Sequence, residues 1–285
     1  MTDSLPQLGS KVGIIAGGGT LPFAVADSLT VRGVTPVLFA LKGACDAVRV
    51  ANYRHHWLGL GAFGKLLRLL RAEQCRDLVF IGSLVRPSLT EVRLDWGALK
   101  VLPALLAAYR GGDDHLLTGI GSLFERNGFR LLGLQDVATD LLMPEGCLTR
   151  ARPDAPTESD IAKGRALLTA LSPFDIGQGC VVIEGHAVAV EDTGGTDELL
   201  RRVAQLRDSR RISAKPGRGV LVKAPKAGQD LRFDLPALGP QTIERLIAAQ
   251  LGGVAVVAGH TVVAEPQAMI GAADKAGLFV LGTRR

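Results

Sequence analysis

Aromatic residues are scarce in this 285-residue chain, 5% of the total, and no stretch interleaves them with basic residues in the manner that stacks single-stranded bases. Charge of one sign is not concentrated either. Lys+Arg 33 against Asp+Glu 28 leaves a formal charge of +5 spread over a mixed surface. Nucleic acid is therefore not implied, and a phosphorylated small molecule or an anionic membrane surface suits the balance as well. The four cysteines, Cys45, Cys75, Cys147 and Cys180, form no CxxC pair and have no histidine at ligand spacing. That argues against a zinc site and a disulfide framework. No run of about 18 apolar residues occurs, and Met1 to Ser10 lack the basic region, apolar core and cleavage site of a secretory signal. A cytoplasmic protein with reduced thiols is expected. A GxSxG elbow is also missing, and the five histidines fall at His55-His56, His115, His186 and His260, so acyl hydrolysis by a Ser/His/Asp triad is disfavoured.

What the chain does have is a 47% hydrophobic fraction, enough for a large core, and a regular alternation of elements. Residues 11–16 read as a buried strand running into Gly17-Gly18-Gly19-Thr20-Leu21-Pro22, then a helix through about Arg32. Strands are expected at 35–41, 56–60, 77–82 and 129–134, with helices at 63–73, 96–109 and 113–126. The alternation predicts an α/β fold with a Rossmann-like N-terminal lobe built on a parallel sheet, residues 1–135. Proline, glycine and small polar residues between Met143 and Asp160 suit a connector to a second, mixed α/β lobe, residues 136–285. There, Val181 to Glu191 reads as a hairpin turning at Gly185-His186. Val256 to Glu265 repeats the apolar, Gly-His, apolar order and suggests a second hairpin. A further strand at 219–224 and a helix opening at Pro240 are expected.

Several positions combine geometry with chemistry. The glycine turn Gly17 to Gly19 can cradle phosphate on helix N-terminal amides, or serve only as a tight turn. In a GxGxxG frame the third glycine position is Pro22, and the second strand ends in Leu41-Lys42 instead of an acid, which disfavours a hydride-transfer enzyme. Gly82 and Arg86 follow a parallel strand at its carboxyl end, where α/β sheets bind ligands. Asp114 and Thr196-Asp197 stand at helix starts and can cap or bind; Gln178, between Gly177 and Gly179, is a flexible amide. The densest polar chemistry lies in Lys223 to Asp234. Leu231, Phe233 and Leu235 alternate there with Asp230, Arg232 and Asp234, so an extended segment would present both carboxylates and the arginine on one face. Carboxylates suit hard divalent cations, and lysine and arginine suit phosphate oxygens. A solvated, salt-bridged strand would carry the same pattern.

Taken in order, Ile14 to Pro22, Phe80-Ile81-Gly82 with Arg86-Pro87, Gly112-Asp113-Asp114-His115-Leu116-Leu117, Leu141 to Gly146, Asp175-Ile176-Gly177-Gln178, Gly195-Thr196-Asp197 and Lys223 to Asp234 resemble the UDP-2,3-diacylglucosamine pyrophosphatase family of lipid A biosynthesis, LpxI type, from about Val12 to Gly282. The family usually reads Glu-Gly-Thr-Asp where this chain has Gly194-Gly195-Thr196-Asp197. The resemblance implies two lobes with a substrate cleft between them, and Mg2+-dependent hydrolysis of UDP-2,3-diacylglucosamine to UMP and 2,3-diacylglucosamine 1-phosphate. Peripheral contact with the cytoplasmic face of the inner membrane and a homo-oligomer are both compatible with it. Within that reaction the chemistry of the side chains points to Asp230, with Asp234, holding the metal directly or through water, to Lys223, Lys226 and Arg232 clamping phosphate oxygens, and to Gln229 orienting a ligand group or water. Gly17, Gly18, Gly19, Leu21, Pro22, Gly82, Arg86 and Asp114 would form the first lobe's share of the ligand site, with Gln178, Thr196 and Asp197 in the second. The competing readings are a non-catalytic nucleotide-sugar or lipid-phosphate binding protein and a nicotinamide-dependent oxidoreductase.

Overall fold

A computed structural model describes residues 6–83, 95–99, 113–226, 228–233 and 235–284. The chain forms two compact units: the first runs to Leu141 and includes Asp230 to Phe233, and the second comprises Leu142 to Gln229 and Leu235 onward. Arg86, Asp234 and most of the 96–109 helix expectation lie outside the described residues.

The first unit is a doubly wound parallel sheet. In chain order its elements are β1 (Lys11–Ala16), α1 (Leu21–Val31), β2 (Thr35–Leu41), α2 (Ala47–Val50), β3 (His55–Leu58), α3 (Phe63–Ala72), β4 (Asp77–Ile81), α4 (Asp113–Arg126), β5 (Arg130–Leu131) and α5 (Leu134–Val137). The strands order β3-β2-β1-β4-β5 with parallel pairing throughout. Near-continuous apolar runs such as Val12, Ile14, Ile15 and Ala16, rather than strict alternation, mark strands covered on both faces. Pro22 presets the first turn of α1, and Gly33, at φ 75°, turns the chain after it. Leu66 and Leu70 of α3 join Phe39, Leu78, Phe124 and Leu131 in the core. Replacing the fully buried Leu70 by alanine would cost about 2–5 kcal/mol. Because the chain works outward from β1 first to β3 and then to β5, the strand order reverses between β1 and β4, and the carboxyl ends of those strands form a topological switch point.

The second unit carries β6 (Gly146–Cys147), α6 (Ala155–Leu171), β7 (Gly179–Ile183), β8 (His186–Val190), α7 (Gly195–Asp208), β9 (Val220–Lys223), β10 (Ala237–Leu238), α8 (Pro240–Ala248), β11 (Gly253–Val257), β12 (Val262–Val263), α9 (Pro266–Ala276) and β13 (Phe279–Thr283). Its six-stranded sheet is ordered β6-β13-β11-β9-β7-β8 and is mixed: β9, β11 and β13 are parallel, while β6 and β7 run against them. Leu199, Leu200 and Val203 of α7 and Ile243 and Leu246 of α8 pack on Leu221, Val254 and Val280. The first hairpin forms, but its turn is Glu184-Gly185, both at positive φ as the strand twist requires, and His186 already belongs to β8. The second hairpin does not form. β11 has β9 on one side and β13 on the other, so no edge remains for its successor, and β12 pairs with β10 instead. Among the described residues no helix is long and apolar enough to cross a membrane.

Residues 230–233 are not extended. The Asp230 carboxylate accepts from the Arg232 backbone N–H (3.1 Å), and the Phe233 N–H donates to the Asp230 carbonyl (3.1 Å), which closes a turn. A short acidic side chain that bonds its own backbone competes with a strand ladder, and here it wins.

Candidate active site

In the second unit the polar residues gather where the parallel strands end. β9 terminates in Lys223, which is only 6% exposed, and Gly179 at the start of β7 stands opposite it in the register. The Lys223 ammonium donates to Thr196 Oγ1 (2.8 Å) and to the Ala237 carbonyl (3.4 Å), and Thr196 Oγ1 donates to Glu191 Oε2 (3.2 Å). Burying an ammonium costs several kcal/mol unless hydrogen bonds offset it, so this chain of donors is a built feature. Thr196 sits in the first turn of α7, whose N-cap Gly194 offers no side-chain acceptor, and Gln241 donates to Asp197 beside it. Glu191 also accounts for the glycines flanking Gln178: a Cβ at Gly179 would stand 2.5 Å from Glu191 Oε2, and one at Gly177 2.2 Å from the Glu191 carbonyl.

Past Lys223 the chain continues along the same edge. The Ala224 N–H donates to the Gln178 carbonyl (2.9 Å), and the Lys226 ammonium donates to Asp175 Oδ1 (2.5 Å), whose left-handed backbone at φ 55° closes the 3-10 turn Ser172–Phe174 that follows α6. Gln229 folds back: its Oε1 accepts from the Lys226 N–H (3.0 Å) while its own N–H donates to the Lys226 carbonyl (3.3 Å). Lys223, Thr196 and Asp197 are thus brought to one edge with Gln178, Lys226 and Gln229. The sequence reading missed Glu191 as a site residue; nothing in its local pattern singles it out from any strand-end glutamate.

In the first unit, Gly17, Gly18, Gly19, Leu21, Pro22 and Gly82 meet at the switch point. The Gly17 N–H donates to the Ile81 carbonyl (2.8 Å), and Gly18 and Ser83 exchange two backbone bonds at 2.7 and 3.0 Å. The chain segments cross so closely that a Cβ at Gly17 would lie 2.6 Å from the Ser83 carbonyl, and one at Gly82, at φ 106°, 2.7 Å from the Gly18 carbonyl. Gly17 and Gly18 therefore spend their N–H groups on the crossing. Gly19, at φ 89° with open space around it, and Leu21 lead into the start of α1.

The Asp230 turn also belongs to the first unit. Arg232 grips both Asp230 oxygens, Nε to Oδ1 at 2.9 Å and Nη2 to Oδ2 at 2.7 Å, and its Nη1 donates to Glu125 Oε1 at 2.6 Å. The Arg232 hydrogen bonds, against the opposing push of burial, hold the Asp230 carboxyl below the usual carboxylate range, so it is ionised at neutral pH. Phe233 packs on Phe80 with ring centroids 5.3 Å apart. No hydrogen bond among the described residues joins the glycine turn to this fork. Asp114 lies in α4, seven residues before Gly121; its side chain lies outside the described residues.

Among the described residues no group of three His, Cys, Asp or Glu side chains is placed to hold a metal. Mg2+ does not require one, since it keeps several waters and binds through one or two carboxylates plus substrate phosphates. Asp230 is ionised and partly exposed, but each of its oxygens accepts two hydrogen bonds from Arg232, so it would meet the ion through coordinated water or by giving up one of those bonds. Asp234, the second expected ligand, lies outside the described residues.

Two α/β units with buried or paired cations, an ionised aspartate and a glycine turn at strand carboxyl ends define a protein equipped for phosphate-bearing ligands. Residues 11–141 match the family model described as the LpxI N-terminal domain, and residues 144–281 match the LpxI C-terminal domain. The chain belongs to the LpxI family. A UDP-2,3-diacylglucosamine pyrophosphatase LpxI from Caulobacter vibrioides (strain ATCC 19089 / CIP 103742 / CB 15) is 41% identical over 272 residues, which span 95% of this chain and 97% of that protein.

Proposed function

We propose that this chain hydrolyses the pyrophosphate of UDP-2,3-diacylglucosamine to UMP and 2,3-diacylglucosamine 1-phosphate in lipid A biosynthesis. The observation that carries the reading is the end-to-end match: both LpxI domains in order, and a pyrophosphatase relative that aligns over almost the whole of each chain.

In the reaction a water oxygen adds to one phosphorus, the P–O bond to the bridging oxygen breaks, and that oxygen leaves with the electron pair on the departing phosphate. Charge builds on non-bridging and bridging oxygens. Lys223 and Lys226 are the cations that would meet it, and both already donate to oxygen partners that a phosphate can share or replace. Arg232 holds Asp230 ionised and adds its remaining N–H donors. Mg2+, which Asp230 with Asp234 would hold, would supply Lewis-acid neutralisation of the phosphoryl oxygens. Thr196 and the first amides of α7 provide a further phosphate contact, and Gln229 and Gln178 orient ligand groups. The glycine turn, Gly82, Arg86 and Asp114 serve the nucleotide portion. The diacyl substrate brings the protein to the cytoplasmic face of the inner membrane as a peripheral partner.

The test is release of UMP from UDP-2,3-diacylglucosamine by purified protein in Mg2+, compared with chelator. UMP formed only with the metal supports the reading. Substrate binding without UMP would instead identify a non-catalytic binding protein, and UMP release equal in chelator would remove the metal.

A further inference from the structure

α4 presents more than core residues to the Asp230 turn. Gly121 and Glu125 are four apart, so they share one face of that helix. Phe233 and Arg232, adjacent in sequence, meet that face at those two points. The Phe233 ring lies over Gly121 so closely that a Cβ there would stand 2.6 Å from the ring Cζ and 3.0 Å from Cε2, with Leu131 at 2.9 Å closing the other side. Arg232 Nη1 reaches Glu125 one helical turn on, while its Nε and Nη2 hold the Asp230 carboxylate. Each contact fixes something the other leaves loose. The aromatic seat sets the depth of the turn, and Glu125 sets the rotation of the guanidinium plane. With both in place the Asp230 oxygens have one orientation.

We propose that Glu125 and Gly121 are positioning residues of the pyrophosphatase site, together forming a platform on α4 that fixes the aim of the Asp230 carboxylate through Arg232 and Phe233. The inference rests on the hydrolase reading above. It follows from two side chains of the turn locking to one helix face, which a merely solvated salt bridge does not require. The cluster also has a charge consequence: Glu125 offsets the Arg232 charge, so the cluster of Asp230, Arg232 and Glu125 keeps a net negative charge, which favours a divalent cation.

The experiment compares the full chain with Glu125→Gln, Glu125→Asp and Gly121→Ala for UMP release, Mn2+ binding to the substrate-free protein by electron paramagnetic resonance, and thermal unfolding. In Glu125→Gln, kcat is expected to fall roughly tenfold or more with KM within about twofold, the pattern of lost positioning. Mn2+ affinity should weaken about threefold or more in the same variant. Glu125→Asp, which restores the charge at shorter reach, should recover part of the loss. Gly121→Ala should show the same kcat-selective loss; if it fails to fold, Glu125→Gln decides alone. Wild-type kcat and Mn2+ affinity in a folded Glu125→Gln protein overturn the proposal, as does a kcat loss that tracks the unfolded fraction. A wild-type protein that releases no UMP would sink the hydrolase reading itself, a result distinct from either.

Discussion

The first unit contains two arginine forks on aspartate that look alike and differ in span and exposure. Arg130 holds Asp77 through Nε to Oδ1 and Nη2 to Oδ2, both at 2.7 Å, and Arg232 holds Asp230 through the same atoms at 2.9 and 2.7 Å. The difference lies in separation and exposure. Asp77 and Arg130 are 53 residues apart and open the neighbouring strands β4 and β5; the Asp77 side chain is 5% exposed and also accepts from the Gly9 N–H. This fork staples three distant pieces of chain. Asp230 and Arg232 are two residues apart, and the carboxylate keeps 20% of its exposure. A pair so close in sequence closes almost no loop and can form in the unfolded chain, so it adds little to the folding free energy. What it does add is an oriented, accessible anion. Closely similar geometry thus builds scaffold in one place and, on the function proposed above, serves the reaction in the other.

The sharpest way to break that contrast is to remove each carboxylate in turn. Asp230→Asn should lower UMP release at least about a hundredfold, roughly 3 kcal/mol of transition-state stabilisation, while leaving the thermal transition close to wild type. If activity survives, Asp230 is scaffold after all. Lys223→Met extends the test to the second unit. Replacing the ammonium by methionine removes the donor to Thr196 Oγ1 and the Ala237 carbonyl, so the protein should lose only about 1–2 kcal/mol of stability while UMP release falls about tenfold to a hundredfold, as for loss of an electrostatic donor. A large drop in melting temperature would make Lys223 a structural cation. Asp77→Asn should behave in the reverse sense, losing about 2 kcal/mol of stability by denaturant titration because a buried partner is left unpaired, with kcat unchanged at temperatures where the protein is folded.

The sequence carried the scaffold far better than the site's internal contacts. Buried strands with glycine or proline punctuation made β1, β2, β4 and the start of α8 readable, because both signals act within a few residues. The same local logic placed Lys223 at a strand end. It failed where the outcome depends on distant partners. Alternating Leu231, Arg232 and Phe233 fit a strand and a turn equally, and the Asp230 side chain decided between them. The repeated Gly-His pattern near His260 could not reveal that β11 lies inside the sheet with both edges taken. Glu125 stands 107 residues from Arg232, and Gly121 reads as an ordinary weak point in a helix until the Phe233 ring is set over it.

The smallest effect should appear in acid. Burial pushes the Asp77 carboxyl up, but the Arg130 fork and the Gly9 N–H more than offset it and hold the group below the ordinary carboxylate range. A carboxyl lowered in the folded state contributes stability that is fully present above its unfolded pKa, about 4, and is lost as pH falls through the lowered folded value. Unfolding free energy should therefore begin to fall below about pH 4, and Asp77→Asn should flatten that acid limb. Asp230 is lowered in the folded protein as well, chiefly by the Arg232 hydrogen bonds. Its partner lies two residues away, so part of that hydrogen bonding can re-form in the unfolded chain and the linkage is weaker than for Asp77. Asp230→Asn should flatten the acid limb of a pH and denaturant titration less than Asp77→Asn does. Equal flattening by both substitutions would show that the local fork forms only in the folded unit, and the distinction drawn from sequence separation would fall.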